Sequence, residues 1–303
     1  MPEPDPFDTA GLRAAVLSSW AASPTRFRED ANAEEDLLLG GYADRWLVEL
    51  AQNAADAARR DGRPGKLLVQ VLGDAEPGSL PGGAPELRVA NTGARLDVEG
   101  VAALASLRAS AKRDVDTVGR FGVGFAAVLG ISSEPVVVSG GTGVRFSAER
   151  TRDEVAALTG PARDELQRRA GRVPVLRLPW PVAGEDPPPG YDTEIRLPFE
   201  VGTTAAAAVS VIAAAEAAAA DLLLALPWLA EISIVDLDGS RTDHRRIESG
   251  DGTVTLEPGA RRWRLVRRSG QLTSTPVAVE ERTDWSVCWA LPLDPGGCPD
   301  PLT

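Results

Sequence analysis

Between about Tyr42 and Arg60 the apolar positions recur at helical spacing, with Leu47, Leu50, Ala54 and Ala58 on one side. The other side carries Glu49, Asn53 and Asp56, spaced four and three apart, so a carboxylate, an amide and a second carboxylate stand in line. The plainest meaning of such a line is the solvated face of an amphipathic helix. Upstream, "DTAGLRAAVLSSWAAS" reads as a helix with Asp8 or Thr9 as N-cap, and "PTRFREDANAEEDLLLGG" as a polar segment leading into the long helix. Glycine and proline in "DGRPG" end that helix.

The pattern then changes to short apolar runs. "KLLVQVLG" and "LRVAN" predict two strands joined by a Gly/Pro-rich loop, and "DVEGVAALASL" a helical stretch. "RASAKRDVDTVG" has little periodicity and many charges, which predicts a mobile loop. "RFGVGFAAVLGI" is a glycine-rich turn entering a helix, and "PVVVSGGTGVRFSAE" a β-hairpin. A charged helix ("RDEVAALTGPARDELQRRAG"), a strand ("VPVLRLPW"), the strand "TEIRLPF", an alanine-rich helix and the strand "EISIVDL" bring the first unit to residue 237. Residues 238–303 are β-rich and stop abruptly in "DPGGCPDPLT", as at the opening of a following domain.

Composition narrows the function classes. Hydrophobic content of 43% with 25% charged residues is ordinary for a globular chain. A net charge of −12 argues against a nucleic-acid partner, which needs a basic face, and against docking on an anionic membrane. "MPEPDPFDTAG" lacks the basic and apolar regions of a secretory leader, and Glu216 and Asp221 interrupt the alanine-rich run, so no membrane span is expected. Cys288 and Cys298 fit neither a disulfide framework nor a zinc site, which points to a reducing, cytoplasmic setting. His244, the single histidine, sits among charges and reads as a surface residue, so His-based triads and metal sites are not expected. Of 32 basic residues only Lys66 and Lys112 are lysine, and Lys112 stands in the charged loop.

The glycines of "GRFGVGF" let backbone approach a ligand and aim amides at a phosphate, although glycine turns also merely connect elements. No Gly-Lys-Ser/Thr follows, so this is not a Walker loop. "SGGTGVRF" reads as a hairpin turn only.

Taken in order, E-x-x-x-N-A-x-D-A, "NTG", "SAK" and "GRFGVGF" resemble the Bergerat ATP-binding fold of the GHKL superfamily (Hsp90, gyrase, histidine kinases and MutL). The set is most similar to the N-terminal ATP-binding-like domain of sacsin and bacterial Hsp90-like proteins. The resemblance spans about residues 30–237 and implies an α+β fold: a two-layer sandwich with a mixed sheet and helices on one face. By that likeness Glu49 is the general base toward water, and Asn53 the ligand of Mg²⁺ as well as a nucleotide contact. Asp56 and Ala57 line the pocket wall. Asn91 replaces the family's usual adenine-reading aspartate, a neutral acceptor in place of a charged one. Gly93 and Thr193 complete the adenine end. Ser110 and Lys112 belong to the lid, and Gly119, Phe121, Gly122, Val123, Gly124 and Phe125 to the phosphate cradle.

Glutamate at position 49 favours hydrolysis over transfer to histidine. The reading that follows is an ATP-binding, ATP-hydrolysing module whose lid switches with ATP or ADP inside a chaperone-like protein. The alternative is an interaction module that senses ATP or ADP without turnover. Arg262, Arg264, Arg267 and Arg268 are available as phosphate sensors but read more simply as a solvated strand face. Client and oligomeric state leave no mark on the sequence.

Overall fold

The computed structural model describes residues 5–40, 45–73, 85–106, 124–200, 205–271 and 284–300. The architecture is α+β, built on one mixed sheet of 11 strands in the order β11-β10-β9-β8-β7-β1-β2-β6-β3-β4-β5. Its centre is β1 (Gly65–Leu72), antiparallel to β2 (Glu86–Asn91) and parallel to β7 (Leu229–Val235). β6 (Thr193–Pro198) follows β2, then the hairpin β3 (Val136–Ser139) and β4 (Thr142–Arg145), then β5 (Trp180–Ala183) at one edge.

Two long helices, α3 (Trp46–Asp61) and α7 (Ala205–Ala225), lie side by side on one face, packed against β1 and β7. Alternation along β1, β2 and β7 sends Leu67, Val69, Val71, Leu87, Val89, Ile232 and Ile234 into this layer. α7 answers with Ala208, Ile212, Ala215, Ala219, Leu222 and Leu223. It is, among the described residues, the helix long and apolar enough to cross a membrane.

Several elements differ from the expectations. The segment read as polar is a helix, α2 (Pro24–Leu39), started by proline in its first turn. It follows α1 (Thr9–Ala22), which Asp8 caps by accepting the Gly11 amide. Trp20 and Phe27 meet edge-on at 5.1 Å, and together with Val155, Leu166, Leu178 and Trp180 they form a second core. Because that core is assembled from distant segments, local polarity alone misreads α2. Its Glu34 is buried and accepts the amides of Val175 (2.7 Å) and Leu176 (3.1 Å). Those residues form a 3₁₀ turn (Val175–Arg177) where a strand was expected. The helical stretch after β2 is α4 (Val98–Leu104), and the charged helix is two helices, α5 (Ala148–Ala157) and α6 (Pro161–Arg168), broken at Gly160-Pro161.

Past residue 237 the sheet continues without a break. β8 (Arg241–Glu248) pairs with β7, β9 (Thr253–Glu257) with β8, β10 (Arg261–Gln271) with β9, and β11 (Asp284–Leu293) with β10. His244 is half-buried rather than a surface residue, with Nε2 2.7 Å from Glu216 Oε2 of α7.

Candidate functional site

The line on α3 is not solvated. Glu49 is 8% exposed and Asp56 1%, while Asn53 is half-buried. Burying two carboxylates on one helix opposes folding, so the surroundings must compensate them. Asp56 does so locally: Arg59 lies 4.0 Å away, one turn later. Glu49 has Arg45 at 3.4 Å, one turn earlier. Burial lifts the Glu49 carboxyl above its ordinary value and the Arg45 guanidinium pulls it back. A carboxylate so placed accepts a proton more readily than one in water.

Opposite Glu49 stands Gly124, the first residue of a 3₁₀ helix (Gly124–Gly130). A Cβ there would sit 2.2 Å from Glu49 Oε2, so a larger residue would force the carboxylate out of its present place. The helix expected after the glycine turn is thus a 3₁₀ segment. Phe125 points into the core, 6.2 Å from Phe146 between ring centroids, so its side chain serves packing. The remaining residues of that turn, Gly119, Phe121, Gly122 and Val123, and the loop residues Ser110 and Lys112, lie outside the described residues.

The second half of the site is the end of β2. Asn91 pairs in register with Thr193 of β6, and Thr193 with Ser139 of β3. Directly after Asn91 the chain turns at Gly93, whose φ of 129° excludes ordinary side chains. A Cβ on Gly93 would lie 2.5 Å from the Ala57 carbonyl carbon, so the turn presses against the α3 backbone. Ala94 N–H donates to Ala57 O at 3.0 Å, tying turn to helix. Ala57 therefore serves as the wall that positions the turn.

Two residues that the motifs did not point to organise this end. Asp192 accepts the Gly93 amide at 3.0 Å, and its own amide donates to Asn91 O at 3.0 Å. The Ser139 hydroxyl donates to Asp192 O at 2.8 Å, lies 3.0 Å from Thr193 Oγ1 and accepts the Leu96 amide at 3.2 Å. The hairpin "SGGTG" thus contributes its first serine to the site, beyond serving as a turn. The Asn91 side-chain amide donates to Thr92 O at 3.2 Å, which leaves its Oδ1 as the acceptor.

The structure brings together Glu49, Asn53, Asp56 and Ala57 on α3, Gly124 against Glu49, and Asn91, Gly93 and Thr193 at the adjoining strand ends. Among the described residues no group of three His, Cys, Asp or Glu side chains is placed to hold a metal ion. Cys288 and Cys298 are free and exposed.

No protein-family model matches the chain, and no curated protein sequence does. Among solved structures, the B subunit of DNA gyrase from Myxococcus xanthus is similar at 16% identity and a TM-score of 0.36. That likeness covers 74% of this chain and 61% of the gyrase chain, and is too slight to carry an argument about function.

Proposed function

We propose that this chain is an ATP-binding and ATP-hydrolysing module of the Bergerat type, Hsp90- and sacsin-like in its motifs. In this reading it works as a nucleotide-driven switch within a chaperone-like, cytoplasmic protein. The observation that carries the reading is the burial of Glu49 against Gly124, on the same helix whose Ala57 fixes the Asn91–Gly93 turn. A solvated helix face needs none of these contacts.

The roles follow from the chemistry of each group. Asn91 Oδ1 accepts from the exocyclic amine of adenine, and Gly93 allows the flat base to approach. Thr193, held by Ser139, orients the polar edge of that pocket. Asn53 suits Mg²⁺, which takes one or two protein oxygens beside phosphate and water. Such an ion, when bound, neutralises phosphate oxygens and polarises the transferred phosphorus. Glu49 takes the proton of the attacking water, its basicity set by burial against the opposing Arg45 charge. Asp56 lies beside Arg59 and supports the wall.

One specific contact favours a second reading, a sensor that binds ATP or ADP without turnover: the Arg45–Glu49 ion pair engages the very carboxylate that hydrolysis needs. Phosphate release by the wild type and Glu49→Gln separates the two. Loss of about 10²–10⁴-fold in rate with binding retained supports hydrolysis. Equal, negligible rates in both proteins support the sensor.

A further inference from the structure

The far edge of the sheet carries a feature with no part in the α3 site. From Val266 to Gln271, β10 has left β9 behind and its backbone pairs with β11 alone, as a two-stranded arm held to α7 by the Arg267 side chain, which donates to Leu224 O at 3.3 Å. Two strands alone are marginally stable in water. Yet this arm exposes apolar side chains: Trp285 is 41% exposed, Val287 40%, Trp289 49% and Leu291 42%. Their spacing of two puts all four on one face of β11.

Residues opposite them on β10 share that face: Gly270 pairs with Trp285, Arg268 with Val287, Val266 with Trp289 and Arg264 with Leu291. The Trp285 ring lies over Gly270, where a Cβ would come within 2.9 Å of Cζ2. An apolar ladder is thus flanked by two arginines that form no ion pair among the described residues. Arg264 has only the more distant field of Asp251, and Arg268 donates to Arg267 O. The strand "RRWRLVRRSGQ" is a basic island in a chain of net charge −12. The chain's own turn back covers the end of β11, where Leu293 bridges Pro299 and the Asp300 amide donates to Pro292 O at 2.9 Å. Among the described residues no strand covers the outer edge of 284–291, so those backbone groups stand ready to pair.

We infer that this arm docks an extended, acidic segment of a partner protein, added as a strand along β11. Its apolar side chains pack between Trp285, Val287, Trp289 and Leu291, and its carboxylates meet Arg264 and Arg268. The charge pattern selects this occupant. A second copy laid face to face would set Arg264 and Arg268 against their own equivalents. A single-stranded nucleic acid would find Val287 and Leu291 where stacking rings are needed, on a strongly acidic protein.

Fluorescence anisotropy with three labelled probes tests it on the intact chain. They are an alternating Glu-Val peptide the length of β11, its Lys-Val counterpart, and an oligothymidylate. The Glu-Val peptide is expected to bind, at least about tenfold more tightly than the Lys-Val peptide, and to weaken by about tenfold in R264E/R268E. Methylating alternate backbone nitrogens of the peptide is expected to abolish binding by removing the strand pairing. Failure of the Glu-Val peptide to bind, or equal binding by the Lys-Val peptide, overturns the proposal without relying on any variant. So does tighter binding of the oligothymidylate, or self-association of the chain that W285S/W289S abolishes.

Discussion

α3 and α7 lie side by side on the same strands, yet they treat their inner faces oppositely. α7 turns only apolar residues inward, alanine, leucine, isoleucine and Val211, and its polar residues stay at the rim. α3 likewise buries Trp46, Leu47, Leu50, Ala51, Ala54 and Ala55, and buries Glu49 and Asp56 besides. Those carboxylates oppose folding, and nothing about holding the sheet requires them. The contrast teaches that α7 exists to fix the sheet, whereas α3 gives up stability to place charge beside the Asn91–Gly93 turn.

Substitutions on the two helices are expected to cross over. Leu223→Ala in α7 removes a fully buried side chain and is expected to lose about 2–5 kcal/mol in urea unfolding, with nucleotide affinity unchanged under folding conditions. A reduced affinity at native temperature would break the contrast.

Glu34 of α2 sharpens it, being a buried carboxyl that serves the fold alone. Burial pushes it from an ordinary 4.5 up to about 7, against the pull of the Val175 and Leu176 amides. The folded chain therefore holds this proton more tightly than the unfolded chain. Its stabilising effect is complete below about pH 4.5 and is lost as pH rises through about 7. Relative to Glu34→Gln, the wild type is expected to lose about 3 kcal/mol across that window, read from denaturation midpoints at each pH. Parallel pH profiles in the two proteins would contradict this.

Gly93→Ala places a methyl group on the Ala57 backbone at a φ of 129° and is expected to destabilise by about 1–3 kcal/mol while removing nucleotide binding. The smallest effect is electrostatic. Arg45→Ala removes the charge that lowers the Glu49 pKa, so the acidic limb of the pH–rate profile is expected to move to higher pH. An unmoved limb would show that Glu49 does not set it.

Much of α3 was legible because its period, its apolar side and its closing Gly62 are local signals; whether its polar line faced water was not, since that depends on Gly124 and the turn at Gly93. α2 escaped for a related reason. Its charge hides the contacts of Phe27 and Glu34 with segments more than a hundred residues away, the Val175 amide among them at a separation of 141. Asp192 carries no motif, and its partner Gly93 is 99 residues distant. Ser139 stands in a glycine-rich hairpin whose turn signal concealed a polar role. Period and punctuation are written locally, whereas the partners of a buried polar group are set by topology.

Calorimetric titration of the wild type and Asn53→Ala with ADP and ATP, with and without Mg²⁺, tests most directly whether the polar line of α3 is a nucleotide site. The wild type is expected to bind both nucleotides more tightly with Mg²⁺, and Asn53→Ala to lose that Mg²⁺ dependence while keeping its fold. No binding of either nucleotide by the folded wild type, or equal Mg²⁺ dependence in both proteins, would contradict the assignment.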